Sequence, residues 1–526
     1  MFISSWNRVL RLVFIVLPLL GNHVAAQCPD YAVYSQSAHD PPSTGNFKLP
    51  YMRPDPACRT FNSSEVEETI VRMKSVIQDP DLYRLFENTF PNSLDTAGGI
   101  NISDYGRYKC KFLQFTRVHL PKQLSDLTVQ AMWLRDSANQ LQSYISLLKA
   151  DAGPNSLASL FRGLINLQAR YIIAAPFCNS FQPPAESGLA QTRNQDHPDE
   201  VTPKPDDVVF ECKYELDSLA AFLEISSNYY EATGDIQFFR DFQWVRAISV
   251  IISTTESLLG GTYSANGSIN MSPYTWQRYT KSAIETLSNS GRGNPVQGNT
   301  GLIRSAFRPS DDATTFQLFI PANMMFASYL ESASNIMAAH GAQEQLSTRM
   351  SNFSRRIRDA ISKHGIVNDA KYGEMYAYEV DGFGSANLMD DANVPSLLSA
   401  PFLRYNKMDD AVYQNTRRFI LSSDNPYFMR GPVISAVGGP HAGLGMAWPM
   451  ASIMRIFTTD DEAEIADALR ELVASTAGLG LIHESVNSFD QKIWTRQWFS
   501  WANGLFGQCM LDLETRHAAV LARSYQ

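Results

Sequence analysis

Basic charge is scarce in this sequence. Lysine and arginine number 44 against 53 aspartates and glutamates, a formal net charge of −9. No basic block interrupts that balance, which argues against a nucleic-acid partner. Long apolar runs are scarce too. The run from Leu12 to Leu20 falls short of the roughly 20 residues that cross a bilayer. There is no Gly-x-Ser-x-Gly, hence no nucleophile elbow. There is no P-loop and no strand-linked Gly-x-Gly-x-x-Gly, hence no sign of nucleotide chemistry. The 9 histidines are scattered, and "HPDE" and "GPHAG" lack zinc spacing. The acidic pairs Asp311–Asp312 and Asp390–Asp391 lack the regular oxygen spacing of a calcium loop. Neither a metal nor another cofactor is expected.

What remains is a globular composition: 44% hydrophobic and 18% charged over 526 residues, enough apolar material for a large core. At the N-terminus, Arg8 and Arg11 precede the apolar run, and "VAA" ends at Ala26. This pattern predicts a signal peptide over residues 1–26, with an uncleaved signal anchor as the alternative. Secretion, or residence in the lumen of the secretory pathway, follows, with no stable membrane association. Five Asn-x-Ser/Thr sequons agree with it: Asn62, Asn101, Asn266, Asn270 and Asn352. So does the expectation that some of Cys28, Cys58, Cys110, Cys178, Cys212 and Cys509 pair in an oxidising lumen, with Cys28–Cys58 a plausible local bridge.

Residues 27–57 are rich in Pro, Ser and Asp and read as an irregular lead-in. Helical periodicity dominates from there to residue 526, the predicted catalytic domain. Helices are expected from a capping-box start at Ser64–Glu67 and near 124–148, 155–175, 213–232, 236–259, 313–340, 343–364, 409–422, 444–457, 461–477 and 498–523. No short sequence repeat is visible. Two long loops, 179–207 and 260–300, interrupt the helices and read as functional or mobile. The pattern predicts an all-α fold, a toroid of paired helices with long loops at the active-site rim. An unspecific all-α domain fits the periodicity equally well.

Several segments mix aromatics, carboxylates, Asn and Arg: "MWLRDSANQ", "KYELDSLA", "FRPSDDATTFQLFIPANMM", "YEVDGFGSANLMDDANVPSLL", "GGPHAGLGMAWPM" and "HESVNSFDQKIWTRQWFSWAN". Sugar pockets need that mixture, flat apolar platforms with a few placed polar groups. In "WLRD", Arg135 and Asp136 are adjacent and poorly spaced to pair with each other on a helix, so a structural pair with a neighbouring helix is the plain alternative. In "RPSDDA", Ser310 reads as an N-cap with Asp311 and Asp312 in the first helical turn. That plain reading conflicts with a general-acid role, because a helix dipole lowers a carboxyl pKa. In "HES", Glu484 stands in a non-periodic loop ahead of Trp494, Arg496, Trp498 and Trp501. Aromatic packing of a terminal helix would also explain those tryptophans.

In their order and their span, roughly residues 110–515, these segments resemble glycoside hydrolase family 125, the exo-acting α-1,6-mannosidases. The resemblance implies an (α/α)6 barrel, release of terminal α-1,6-linked mannose from oligosaccharides, inversion at the anomeric carbon, and no metal. It implies a general acid in "RPSDDA", with Asp311 favoured over Asp312, and Glu484 as general base. Trp133, Arg135, Asp136, Asn323, Asp390, Asp391, His441, His483 and Arg496 become candidate contacts to mannose, and Trp498 and Trp501 candidate ring platforms. A non-catalytic glycan-binding protein and a metal-dependent α-mannosidase are the rival readings.

Overall fold

The structure is a computed structural model that describes residues 28–96, 131–151, 153–192 and 199–526. The signal peptide, Asn101 and Cys110 lie outside them. Among the described residues, twelve helices have nine residues or more: α1 Ser64–Val76, α2 Pro80–Thr89, α3 Leu134–Gln142, α4 Leu157–Ala174, α5 Leu216–Thr233, α6 Trp244–Ser257, α7 Ile320–His340, α8 Glu344–His364, α9 Ala411–Ile420, α10 Pro449–Phe457, α11 Glu462–Ala474 and α12 Ser500–Arg516. None is long and apolar enough to cross a membrane.

Helices α10, α12, α3, α5 and α7 pack one against the next as an inner ring. The segment 390–405 closes the ring from α7 back to α10. Phe402 packs its ring on Phe457 of α10, 4.8 Å between centroids, and Arg404 lies over the Tyr329 ring of α7, 5.8 Å from its centroid. Outside lie α2 on α12, α4 on α5 and α6, α8 on α7, and α11 on α10. This is the expected (α/α)6 barrel. Its core is continuous, and runs such as Leu219, Phe222 and Leu223 of α5 are wholly or almost wholly buried.

Side-chain caps are confined to helices outside the inner ring, although α6 and α8 lack them as well. Outer helices α1, α2, α4, α9 and α11 are capped by side chains of Ser63, Asp79, Ser156, Asp410 and Asp461, each accepting from an otherwise orphaned amide. The cap of α1 is thus Ser63, one residue before the expected Ser64, and Glu67 instead binds Arg53 and Arg59. Inner helices α3, α5, α7, α10 and α12 start after Trp133, Glu215, Phe319, Trp448 and Phe499 with no side-chain cap. Those residues belong to the segments singled out for sugar chemistry.

Short strands surround these uncapped ends. They are β1 Met132–Trp133, β2 Ser180–Phe181, β3 Asp199–Thr202, β4 Val209–Glu211, β5 Thr275–Arg278, β6 Leu318–Phe319, β7 Glu379–Val380, β8 Ala386–Asn387, β9 Met446–Ala447 and β10 Val486–Asn487. All pair antiparallel: β1–β2–β4, β6–β7–β8, β3–β5 and β9–β10. Pairing of β3 with β5 joins the two long loops to each other. Arg278 clamps that junction, donating to both oxygens of Asp199 at 2.7 Å and to Glu211 at 2.8 Å.

Candidate active site

"RPSDDA" is not a helix start. Phe307 and Ala313 form an antiparallel bridge, and the Arg308 amide donates to the Asp312 carbonyl at 2.8 Å. The segment is therefore a tight hairpin, and α7 begins only at Ile320. Ser310 caps nothing; its buried hydroxyl has no hydrogen-bond partner among the described residues. Neither aspartate meets a helix dipole of its own, which removes the objection to a general acid here. Glu379 holds the hairpin from outside. It accepts from Arg308 Nε at 2.7 Å and from the amides of Thr315 and Phe316 at 3.1 and 3.2 Å.

At the hairpin tip Asp311 has φ of +67°, a left-handed conformation that Asp tolerates better than most residues and that costs energy all the same. Its amide donates to Arg308 at 2.9 Å, and its carbonyl accepts from Lys213 Nζ at 3.0 Å. The two aspartates point to different places. The Asp311 side chain is 17% exposed, and the Asp312 side chain only 2%. Asp312 bonds to His441 Nδ1 at 3.0 Å, and its other oxygen has no hydrogen-bond partner among the described residues.

Around Asp311 four carboxyls share one guanidinium. Arg135, in the first turn of α3, donates to Glu215 at 2.5 Å and Asp217 at 3.0 Å; it lies 3.4 Å from Asp136 and 3.9 Å from Asp311. Its far face lies over the Trp501 ring, 5.9 Å from the centroid. The Asn179 amide binds Glu215 Oε1 at 3.1 Å and Asp311 Oδ1 at 3.2 Å. Its orientation is unambiguous, because its own oxygen accepts from the Lys213 amide at 3.1 Å. The disulfide Cys178–Cys212 ties the residues before Asn179 and Lys213 together. Glu215 Oε2 also accepts from Ser218 at 2.9 Å. Burial, opposed by Arg135 and reinforced by Asp311 and Asp217, raises Glu215 well above an ordinary glutamate. Asp136 is raised as well, by burial first, with Arg135 opposing.

Glu484 sits in a separate centre. One oxygen lies 3.1 Å from Arg496 Nη1, and the other accepts from Thr495 at 2.8 Å. Asp136 links the two centres electrostatically, since it feels both Asp311 and Arg496. His441 also spans them. Burial opposes its charge, but Asp312, Glu484 and Asp311 together outweigh burial and raise its pKa. His483 is different: burial lowers it to about 4. Its Nδ1 is 3.0 Å from the Arg496 carbonyl, and its ring stacks on Trp494 at 5.0 Å. It is a neutral wall of the Glu484 loop. Asp136 Oδ2, Trp448 Nε1 and Trp501 Nε1 are buried without a hydrogen-bond partner among the described residues. Such atoms are costly to bury, and hydroxyl groups of a ligand would satisfy them.

Other expected contacts serve the scaffold. Asn323 is fully buried and brackets Ile303, accepting from its amide and donating to its carbonyl, both at 2.9 Å. Both oxygens of Asp390 accept backbone amides, of Leu397 at 2.8 Å and Leu398 at 3.0 Å. Neither presents a free group to a sugar, which corrects the expectation for both. Asp391 binds Asn393 through one oxygen and acts on Asp312 electrostatically. A Cβ on Gly439 would stand 2.7 Å from its other oxygen, so the backbone at Gly439 needs glycine to pass. Trp133 meets Phe210 edge-on at 5.7 Å. Trp498 is covered by Tyr31 of the lead-in, 5.1 Å between rings, so it is no open platform.

Sequence reading missed Asn179, Glu215, Asp217, Lys213 and Thr495 as members of the two centres. "YELDSL" was marked, without its acids being assigned. It also missed a repeat. Ala138–Asn139, Ala322–Asn323 and Ala502–Asn503 open three inner helices, and each Asn donates to the carbonyl four residues earlier, at 2.9, 2.9 and 2.7 Å. Asn503 also accepts from the Ile482 amide at 3.1 Å, as Asn323 does from Ile303. Two residues are too few to register as a repeat without the structure.

Comparison with known proteins places this geometry. Residues 79–511 match the family described as metal-independent α-mannosidase, GH125. A Schizosaccharomyces pombe protein, the meiotically up-regulated gene 157 protein, is 46% identical over 501 residues, 94% of either chain. A solved Streptococcus pneumoniae structure superposes with a TM-score of 0.75 at 32% identity, covering 86% of this chain and 99% of that one. It is described as a metal-independent α-mannosidase in a non-productive complex with α-1,6-mannobiose.

Proposed function

Because the chain belongs to glycoside hydrolase family 125, the metal-independent α-mannosidases, we propose that it removes terminal α-1,6-linked mannose, one unit at a time, with inversion. Its substrates are then mannose oligosaccharides of the N-glycan type. The mannobiose bound by the pneumococcal relative supports the linkage. The observation that carries the mechanism is the pair of separate carboxylate centres, one with Asp311 at a hairpin tip and one with Glu484 beside Arg496 and Thr495.

In an inverting reaction one carboxylic acid protonates the departing oxygen while a carboxylate on the opposite ring face takes a proton from water. Asp311 is the acid, being the more exposed of the two aspartates. Its proton is kept by its surroundings. Glu215 accepts three hydrogen bonds, from Arg135, Ser218 and Asn179, yet burial, with Asp311 and Asp217 beside it, still raises its pKa well above an ordinary glutamate. One guanidinium cannot neutralise Glu215, Asp217, Asp136 and Asp311 together, so the buried cluster retains protons shared among its carboxyls, and Asp311, at the hairpin tip, is placed to pass one to the departing oxygen. Glu484, held by a cation and a hydroxyl donor, is the base. The water oxygen bonds to the anomeric carbon, the glycosidic bond breaks, Asp311 loses a proton and Glu484 gains one. Arg135 and Asp136, with His441 and Arg496, grip the hydroxyls of the terminal mannose, and Trp501 supports Arg135.

Residues 58–526 form the catalytic unit, and the lead-in braces it through Tyr31 and Trp498. We assign the protein to the secretory lumen. Two disulfides, Cys28–Cys58 and Cys178–Cys212, and exposed sequon asparagines at 62, 266, 270 and 352 support that setting. The test is mannose release from α-1,6-mannobiose by wild type, Glu484→Gln, Asp311→Asn and Asp312→Asn. Asp311→Asn should lose most activity on the disaccharide yet keep much of it on a 2,4-dinitrophenyl mannoside, whose leaving group needs no proton. Full activity of Glu484→Gln, or equal rescue of Asp312→Asn alone, would contradict the assignment. Undiminished activity after chelation is expected.

A further inference from the structure

Most deeply buried arginines of this protein sit against carboxylates, as Arg53, Arg135, Arg278 and Arg308 do. Arg304 does not. It is 7% exposed, and its side chain makes one long hydrogen bond, from Nε to the Leu258 carbonyl at 3.4 Å. Burial pulls its pKa down, with only Tyr214 acting the other way. A buried cation without a counter-charge is costly, and arginine cannot escape by shedding its proton.

Arg304 lines a recessed cavity of about 10 Å³ together with Tyr214, Tyr274, Leu258, Gln317 and Arg292. Its other polar groups are already used or wait for an acceptor. The Tyr274 hydroxyl donates to the Cys212 carbonyl at 2.8 Å. Gln317 Nε2 donates to the Arg292 carbonyl at 2.6 Å. The Tyr214 hydroxyl is buried and has no hydrogen-bond partner among the described residues. Two donors, one of them charged, therefore face a space that no carboxylate lines. The space takes about one water-sized sphere, which rules out phosphate, sulfate and carboxylate. Water would fit but would leave the charge of Arg304 unmatched. The acids within electrostatic reach, Asp217 of Tyr214 and Glu215, Glu211 and Asp199 of Tyr274, are each already bonded to Arg135 or Arg278.

We propose that this cavity binds a single halide ion, chloride under physiological conditions, between Arg304 and the Tyr214 hydroxyl. The ion braces the acid side of the active site. Tyr214 immediately precedes Glu215, and its carbonyl accepts from the Phe307 amide at 3.0 Å, at the root of the Asp311 hairpin. The site stands on its own geometry and does not depend on which glycoside is cleaved.

Thermal unfolding of the full chain in sodium chloride, sodium bromide and sodium gluconate at one ionic strength provides a first measurement. Either halide should raise Tm above gluconate by about 2 °C. Arg304→Gln should lose that increment, while Arg292→Gln, on the exposed rim, should keep it. Crystals grown in bromide give the second measurement, which needs no variant: an anomalous peak beside Arg304 is expected. Absence of that peak, or an equal halide increment in Arg304→Gln, overturns the proposal.

Discussion

Glu215 makes the sharpest test at the level of single residues. Burial, and Asp311 beside it, raise its pKa, so the two carboxyls titrate as a coupled pair that sets the alkaline limb of the rate profile. Glu215→Gln removes one carboxyl of the pair, and the limb should move to lower pH by about one unit. Asn179→Ser removes a donor that favours ionised Asp311, and the limb should move the other way, with a lower kcat. A purely structural role would reduce activity at every pH and leave both limbs in place. His483 predicts a stability effect. Its folded pKa is about 4 against an ordinary 6.5, so the unfolded chain takes up the proton first as pH falls. Stability should therefore decline from about pH 6.5 down to 4, by about 3 kcal/mol in total. Calorimetry should find a shallower decline in His483→Asn. Of these residues the sequence exposed Asp311 and Glu484, because carboxylates in aromatic, non-periodic stretches stand out. Asn179 was hidden in a loop, since nothing local shows that its amide meets residues 36 and 132 positions away.

Local elements were read unevenly. Outer helices α4, α8 and α11 begin and end close to where periodicity and caps put them, since those are local signals. The start of α7 was misread because Ser-Asp-Asp after proline is a good cap pattern. A long-range ion pair, Arg308 with Glu379 at 2.7 Å, and a strand pairing made a hairpin of it instead. Two devices at this level are open to test. Cys178–Cys212 closes a separation of 34 residues and fixes Asn179 and Lys213 against Asp311. Replacing both cysteines by serine should cost about 3–4 kcal/mol and lower kcat more than it raises KM, as denaturation and steady-state kinetics would reveal. Asn503 braces Ile482, two residues before Glu484. Asn503→Ala leaves buried backbone groups unpaired and should cost about 1–3 kcal/mol. It should also reduce kcat without moving the alkaline limb, because it acts on the base side.

For the whole molecule, the barrel brings Glu484 and Asp311 to one end although they are 173 positions apart in the sequence. Periodicity indicated many helices and the family resemblance a ring of them; neither could indicate that segment 390–405 would close the ring without a regular helix. Nor could it show that the two long loops pin each other through β3 and β5. The lead-in, expected to be irregular, packs Tyr31 against Trp498 just ahead of α12. In the inverting mechanism proposed above, the two carboxylates act on opposite faces of the sugar. The most direct measurement is proton NMR of α-1,6-mannobiose hydrolysis, following the anomeric signals before mutarotation equalises them. β-Mannose should appear first, the product of water attacking opposite the departing oxygen. Appearance of α-mannose first, or no release of mannose at all, would contradict the account.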